Sequence, residues 1–173
     1  MSILIVYATK YGSAEKCAKQ LADKLDGQVE LLNLREVKTA DLSRYEKVII
    51  GSSVYMGNMR KEAKAFIAKY LKELQDKPTG LFLCAMANGA DAEKQLQACF
   101  PRELVEKAVA TDTFGGELHF KRMNTAERFI IRMVGRSQMK KQGSSLIGDG
   151  KTDVSTISED KVEQFARSMQ AAV

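Results

Sequence analysis

The chain has 173 residues, of which 45% are hydrophobic and 28% charged, and this composition suits one domain of ordinary size. No stretch approaches the roughly 20 uncharged apolar residues of a membrane-spanning helix, and the first residues lack the basic region and cleavage site of a signal peptide. The three cysteines are an odd number without C-x-x-C spacing, so the sequence indicates neither a disulfide framework nor a metal site and favours the cytoplasm.

The first half of the chain alternates apolar runs with amphipathic helices. Residues 3–8 predict a strand that is covered on both faces, and residues 28–34 and 47–52 predict two more, with a short and partly helical link between them. Two stripes of apolar residues at helical spacing predict the intervening helices, the first of them ended by Gly27. The stripes are Ala14, Cys17, Ala18, Leu21, Ala22 and Leu25, then Ala63, Phe66, Ile67, Tyr70, Leu71 and Leu74.

The second half continues this alternation. Residues 78–85 predict a fourth strand, residues 91–107 a helical region broken at Pro101, and residues 109–118 a fifth strand that Gly115 and Gly116 would end early. Ser158 begins a last helix, whose buried residues are expected to be Val162, Phe165, Ala166 and Met169.

This order of elements predicts an α/β fold. Right-handed crossovers would build a parallel five-stranded sheet of order 2-1-3-4-5 with helices on both faces, and residues 1–173 would form a single domain. Residues 118–157 are the only part that this fold does not require, and they are termed the insert.

Ligands of such a sheet bind beyond the carboxyl ends of its strands, near the point where the strand order reverses. The loop after the first strand leads directly into a helix, whose N-terminal N–H groups, with the hydroxyls of Thr9 and Ser13, would suit a phosphate. A plain turn is the alternative, and the glycine patterns of dinucleotide folds and P-loops are both missing. The predicted phosphate loop consists of Thr9, Lys10, Tyr11, Gly12, Ser13 and Ala14.

The loop after the third strand is expected to comprise residues 51–59, with two glycines, two serines, one tyrosine and two methionines. A tyrosine face and methionine thioethers suit a flavin ring, and Gly57 would let one peptide adopt two orientations. The loop after the fourth strand would serve the polar edge of that ring, although either loop alone also fits an ordinary surface loop. The residues expected to line the cofactor site are Ser52, Ser53, Val54, Tyr55, Met56, Gly57 and Asn58, then Ala85, Met86, Ala87, Asn88 and Gly89.

These loops resemble those of the flavodoxin family, and the resemblance to that family covers nearly the whole chain. Residues 9–13 look like the family's T-x-T-G-x-T phosphate loop, and residues 55–58 are similar to the Met-Gly-Asp flavin loop of clostridial-type flavodoxins. The resemblance implies FMN as cofactor, and the single phosphate loop without a second site for an adenylate favours FMN over FAD or NAD. The chain departs from the family at Tyr11 and Ala14, where hydroxyl residues are usual, and at Asn58, which replaces an acid.

The insert is strongly basic. Residues 118–145 contain seven basic side chains and a single acid, Glu127, and therefore carry +6, while the rest of the chain carries −1. An apolar stripe at helical spacing, flanked by a row of arginines, predicts a helix for an anionic membrane interface or for covering an anionic, hydrophobic ligand. A helix docked on its own domain is the alternative, and a single basic helix does not favour a nucleic-acid partner. The stripe is Ala126, Phe129, Ile130, Met133 and Val134, and the row is Arg128, Arg132 and Arg136.

Residues 51–57 also fit a segment of the menaquinone-dependent protoporphyrinogen IX dehydrogenase family: Gly, Ser or Ala, Ser, Ile or Val, two free positions and Gly. Residues 122–141 fit that family's basic insert in place and character. This resemblance implies an FMN-dependent oxidoreductase that oxidises a porphyrinogen-like substrate, reduces a quinone and contacts the inner face of the membrane. A flavodoxin-type electron carrier and an NAD(P)H:quinone reductase stay open as alternatives, as does the oligomeric state. A phospho-receiver domain is excluded, because Thr9 and Ser52 stand where it needs acids for Mg²⁺.

Overall fold

The computed structural model describes residues 1–142 and 152–172 of the chain. Its centre is a sheet in which five parallel strands follow the order β2-β1-β3-β5-β6, and a short strand β4 pairs antiparallel with β3. The predicted fold class and strand order are therefore confirmed. The strands are β1 (Ser2–Ala8), β2 (Gln28–Asn33), β3 (Lys47–Tyr55), β4 (Asn58–Met59), β5 (Thr79–Cys84) and β6 (Ala110–Thr113).

Helices follow the strands in nearly the predicted order. The first ends at Lys24 rather than at Gly27, and Pro101 divides the predicted helical region 91–107 into two helices. Ser158 precedes the last helix as predicted, and its side-chain oxygen accepts a hydrogen bond from the N–H of Lys161. The helices are α1 (Ser13–Lys24), α2 (Lys61–Gln75), α3 (Gly89–Cys99), α4 (Arg102–Lys107), α5 (Thr125–Gln142) and α6 (Glu159–Ala171).

The sheet separates two hydrophobic cores, because successive side chains of a strand point to opposite faces. Ile3 and Ile5 of β1 belong to the core under α1 and α6, whereas Leu4 and Val6 belong to the core under α2, α3 and α4. Both faces of β1 are therefore buried, as its uninterrupted apolar sequence predicts. This packing holds the carboxyl ends of the central strands together at one edge of the sheet.

One prediction about this edge is wrong, and the early end predicted for the fifth strand is confirmed. The third strand does not end at residue 52 but continues to Tyr55 and returns through β4, so the expected loop 51–59 is largely a hairpin. The fifth strand is shorter than residues 109–118, because the chain leaves the sheet after Thr113 and forms β7 (Glu117–Leu118), which pairs with β8 (Val154–Ser155). Gly115 permits this exit: it has a φ of +91°, and a Cβ there would lie 2.0 Å from the carbonyl oxygen of Thr156.

Within the described ranges, no helix is both long and apolar enough to span a bilayer.

Candidate cofactor site

The N-terminus of α1 lies at the carboxyl end of β1. Its N-cap is Gly12, which has a φ of 104° and no side chain that could cap the helix, so the first N–H groups of α1 stay available for a ligand. The side chains of Thr9 and Ser13 are buried beside them, and Thr9 Oγ1 accepts the N–H of Gly12 at 2.9 Å. The Thr9 hydroxyl can still donate its own hydrogen, so the loop offers donors and a helix dipole to an anion.

The ends of β1 and β3 are joined by hydrogen bonds through two buried serines. The N–H of Lys10 donates to Ser53 Oγ at 3.3 Å, which links the loop after β1 to the end of β3. Ser52 Oγ accepts the N–H of Arg60 at 2.9 Å and donates to the carbonyl oxygen of Ser53 at 3.0 Å. Ser52 therefore stabilises the base of the hairpin through Arg60, and Ser53 connects the predicted phosphate loop to the hairpin through Lys10.

The hairpin between β3 and β4 has a two-residue turn. Tyr55 pairs with Asn58, and the residues between them, Met56 and Gly57, have φ values of 50° and 78°. Two positive φ angles in succession are typical of the type I′ turn, whose twist suits a β-hairpin. The turn exposes the Met56 side chain, and the Asn58 amide donates back to the Met56 carbonyl oxygen at 3.3 Å. The predicted flavin loop is therefore a defined hairpin tip.

A cleft of about 310 Å³, termed the edge cleft, lies between this hairpin, the end of β5 and the insert. A smaller cavity of about 60 Å³ adjoins it and reaches Ser13 and Ser53 at the phosphate loop. On the sheet side the edge cleft is lined by Tyr11, Val54, Tyr55, Met56, Gly57, Ala85, Met86 and Ala87. On the insert side it is lined by Leu118, Met123, Glu127, Ile130 and Ile131.

Most of the predicted site residues thus line these two cavities, but some do not. Asn88 and Gly89 line a neighbouring hollow of about 150 Å³ instead. Asn58 points its amide at the turn, and Ala14 is fully buried in the core beneath α1. His119, which is half-buried, contacts Glu117 at 3.2 Å and Asp153 at 3.5 Å.

Helix α5 of the insert packs on the domain by an unexpected face. Glu127 is buried and Ile131 packs against the small apolar cluster of Leu118, Phe120 and Met123. The predicted apolar stripe is instead exposed, with 65% of Phe129 and 56% of Met133 open to solvent. The helix is docked, but its apolar stripe does not do the docking.

The structure describes the side chains of two of the three arginines in the predicted row. Arg128 Nε donates to the carbonyl oxygen of Phe120 at 2.8 Å, which fixes the first turn of α5 to the preceding segment. Arg132 is exposed. The side chains of Val134 and Arg136 lie outside those that the structure describes.

Glu127 connects the insert to both cofactor loops, and the sequence analysis did not identify it as a site residue. Its carboxylate forms an ion pair with Lys10 and accepts the hydroxyls of Tyr11 at 2.6 Å and Tyr55 at 2.7 Å. The same carboxylate accepts the N–H of Asn124 at 3.0 Å, while Asn124 Oδ1 accepts the N–H of Glu127 at 2.8 Å. This reciprocal pair is a capping box at the start of α5.

The electrostatics of this cluster keep both charges in place. Hydrogen bonds from Lys10 and Tyr11 lower the pKa of Glu127 to about 2. Burial acts to lower the pKa of Lys10, but contacts with Glu127 and Tyr55 outweigh burial and raise that pKa. The ammonium of Lys10 also lies 3.6 Å from the centroid of the Tyr55 ring. Two sequence signals could have identified Glu127: the N-x-x-E capping pattern and its position as the single acid of a basic segment.

Two further contacts connect the insert and the segment before it to the phosphate loop and α1. Arg122 Nη1 donates to the carbonyl oxygen of Tyr11 at 2.9 Å. Lys16 of α1 forms an ion pair with Glu117 at 2.7 Å. The insert therefore forms one wall of the edge cleft and contacts the loop that would hold a phosphate.

The chain is similar in sequence to known proteins. The family described as "Flavodoxin domain" matches residues 4–145. A curated relative from Escherichia coli (strain K12), named protoporphyrinogen IX dehydrogenase (quinone), is 22% identical over 177 residues, covering 98% of this chain and 94% of the relative. A relative of the same name from Leishmania major is 22% identical over 140 residues, covering 76% of this chain and 61% of that relative.

Solved structures show the same fold at low identity. A flavodoxin from Streptococcus pneumonia TIGR4 superposes with a TM-score of 0.56 at 18% identity and covers 100% of both chains. Rubredoxin oxygen:oxidoreductase from Desulfovibrio gigas gives a TM-score of 0.55 at 16% identity, and here the match covers 98% of this chain but only 36% of the longer one. These likenesses concern the fold alone.

Proposed function

The chain belongs to the flavodoxin domain family, and from that premise we propose that it is an FMN-dependent oxidoreductase that moves electrons from a porphyrinogen-like substrate to a quinone. The observation that carries the proposal is the edge cleft, which opens beyond the central strands and is walled on one side by the insert. The names of the curated relatives, which match over nearly the full length of this chain, support the same reaction.

FMN is the cofactor of this family, and the residues present fit it. The free N–H groups of α1, with Thr9 and Ser13, would bind the phosphate at the smaller cavity. The edge cleft offers Tyr55 and Met56 on one side and Ala85 to Ala87 on another for the flavin ring. When bound, FMN supplies the redox chemistry, while the protein positions it and controls access to it.

The insert favours an enzyme over a simple electron carrier. A carrier works best with an open flavin edge, whereas here Ile130, Ile131 and Met123 enclose the cleft on one side. These apolar side chains, with Arg122 and Arg128 on the same segment, suit a planar hydrophobic molecule that carries carboxylates. A flavodoxin-type carrier and an NAD(P)H:quinone reductase are the competing functions.

The exposed stripe of α5 supports a second part of the proposal, a peripheral contact with the cytoplasmic face of an anionic membrane. Phe129 and Met133 are exposed on a helix whose segment carries +6, and both features favour an anionic lipid interface. Such a contact would bring the edge cleft close to the membrane, in which quinones dissolve.

The proposal is tested with the purified full chain. The protein should release FMN on denaturation, or take it up at micromolar concentration, and should then oxidise a porphyrinogen with a quinone as acceptor under anaerobic conditions. Release of FAD, or no uptake of FMN, would contradict the cofactor assignment. FMN binding without porphyrinogen oxidation would favour the carrier, and rapid quinone reduction by NAD(P)H would favour the third function.

A further inference from the structure

We propose that Glu127 is a clasp that holds α5 against the edge cleft, and that opening of this clasp limits the release of FMN. The inference rests on the proposed function, because it takes the edge cleft as the FMN site. It assigns to Glu127 a positioning role and not a role in electron transfer.

The first argument is the number and origin of the donors. Each oxygen of the carboxylate has two partners: Oε1 contacts Lys10 and Tyr55, and Oε2 contacts Tyr11 and the N–H of Asn124. Three of these four donors come from the two loops between which FMN would lie. One buried side chain therefore connects the insert to both loops at once.

The second argument is that apolar packing gives α5 little support at this point. Among the described side chains of α5, Ile131 is the one that packs against the cluster of Leu118, Phe120 and Met123, and Phe129 and Met133 stay exposed. Two other polar contacts near the start of α5, from Arg122 to Tyr11 and from Arg128 to Phe120, are each a single hydrogen bond. Glu127, with three hydrogen bonds to the two loops, therefore contributes more contacts at the start of α5 than either arginine does.

The third argument concerns the way out of the cleft. Glu127, Ile130 and Ile131 line the cleft from the insert, Met56 and Gly57 line it from the hairpin, and Tyr55 joins the two by its hydrogen bond to Glu127. A ring held between the hairpin and the end of β5 is enclosed on that side as long as α5 stays docked. Release in that direction requires the first two turns of α5 to move, and the clasp must break before they can.

The chemistry of the carboxylate excludes the obvious alternative, that Glu127 is a general base. Its hydrogen bonds with Lys10 and Tyr11 depress its pKa to about 2, so it accepts a proton too weakly to serve at neutral pH. The same interactions keep it ionised, and the clasp therefore stays charged throughout the neutral range.

The experiment measures FMN dissociation from the reconstituted full chain, using the rise in fluorescence of the released flavin after a large dilution into buffer. Glu127→Gln keeps the shape of the side chain and one capping oxygen but loses the charge. It should release FMN about tenfold faster or more, since hydrogen bonds to a charged group are the strong ones. Tyr11→Phe, which removes one donor, should have a smaller effect in the same direction.

The matched control is Glu106→Gln, because Glu106 pairs with Arg102 on α4, away from the edge cleft. This variant should release FMN at the wild-type rate. A second readout is amide hydrogen exchange, which should rise in residues 125–131 of the Glu127→Gln variant but not in α1 or α6. A general loss of stability would raise exchange in all three.

Unchanged dissociation in Glu127→Gln would overturn the clasp, and so would tighter FMN binding, which would mean that the carboxylate repels the phosphate. If the wild-type chain does not bind FMN at all, the proposed function fails. The exchange measurement on the cofactor-free chain then still decides whether Glu127 holds α5 in place.

Discussion

Thr9 is the residue on which the proposed phosphate site depends most directly. Its hydroxyl is buried, accepts the N–H of Gly12 and can donate to a phosphate oxygen. We expect Thr9→Val to weaken FMN binding about tenfold to a hundredfold, because a hydrogen bond to a charged group contributes roughly 1.5–3 kcal/mol. Thr9→Ser keeps the hydroxyl and should bind nearly as well as wild type. Equal affinities of all three proteins in a fluorescence titration would show that the loop is a plain turn.

The lowered pKa of Glu127 also predicts that the free energy of unfolding depends on pH. The pKa of Glu127 is lowered from an ordinary value near 4.5 to about 2 in the folded chain. The ionised carboxylate therefore stabilises the fold at pH values above the pKa of Glu127 in the unfolded chain, and this contribution is lost as the pH falls towards 2. The difference in unfolding free energy between wild type and Glu127→Gln should therefore be constant above about pH 5 and shrink from about pH 4.5 towards pH 2. Urea unfolding at a series of pH values measures this difference. A difference that grows with acid would contradict the assigned direction.

At the scale of an element, the hairpin β3–β4 contains Gly57, whose peptide is predicted to adopt two orientations beside the flavin ring. Gly57 has a φ of +78°, and a Cβ there would meet nothing within 4 Å, so a substitution is strained by backbone conformation alone. We expect Gly57→Val to distort the turn at a cost of about 1–2 kcal/mol. The midpoint potential of bound FMN should then change while oxidised FMN still binds.

Gly57→Asn is the matched control for this element, because asparagine tolerates positive φ better than other residues with a side chain. Its redox titration should overlay that of the wild type. If the valine variant also overlays, the turn does not contact the reactive part of the ring, and the analogy with clostridial flavodoxins fails at this residue.

At the scale of the whole molecule, the insert combines a net positive charge with exposed apolar side chains. Phe129→Ser with Met133→Ser should reduce partition onto anionic vesicles by at least tenfold, since burying each such side chain contributes about 1.5–3 kcal/mol. High salt should weaken the wild type in the same assay, because the basic segment is attracted to anionic lipid. Val37→Ser, which changes an exposed apolar residue outside the insert, is the control. Equal partition of all variants would leave the exposed stripe without a lipid partner.

The sequence by itself determined the sheet, its strand order and the helices that cover it. The central strands are short uninterrupted apolar runs, because both of their faces are buried. The helices repeat their apolar residues at an interval of 3.6, as in the stripe that contains Phe165 and Met169, because one face of each helix is buried. The sequence also identified the loops of the candidate site, because the carboxyl ends of strands with this order meet at one edge. Ser158 as an N-cap belongs here too, since capping involves only neighbouring residues.

Only the tertiary structure decided which partner each element meets. Tyr55 continues β3 because it pairs with Asn58 across a turn, and Leu118 forms a ladder with Val154, far along the chain. Periodicity revealed that α5 has an apolar stripe but not that a different face, with Glu127 in it, would dock. The partners of Glu127 are 72, 116 and 117 residues away in the chain. A local pattern shows only whether a side chain is polar or apolar. Which residue it contacts is decided when the sheet brings distant loops to the same edge.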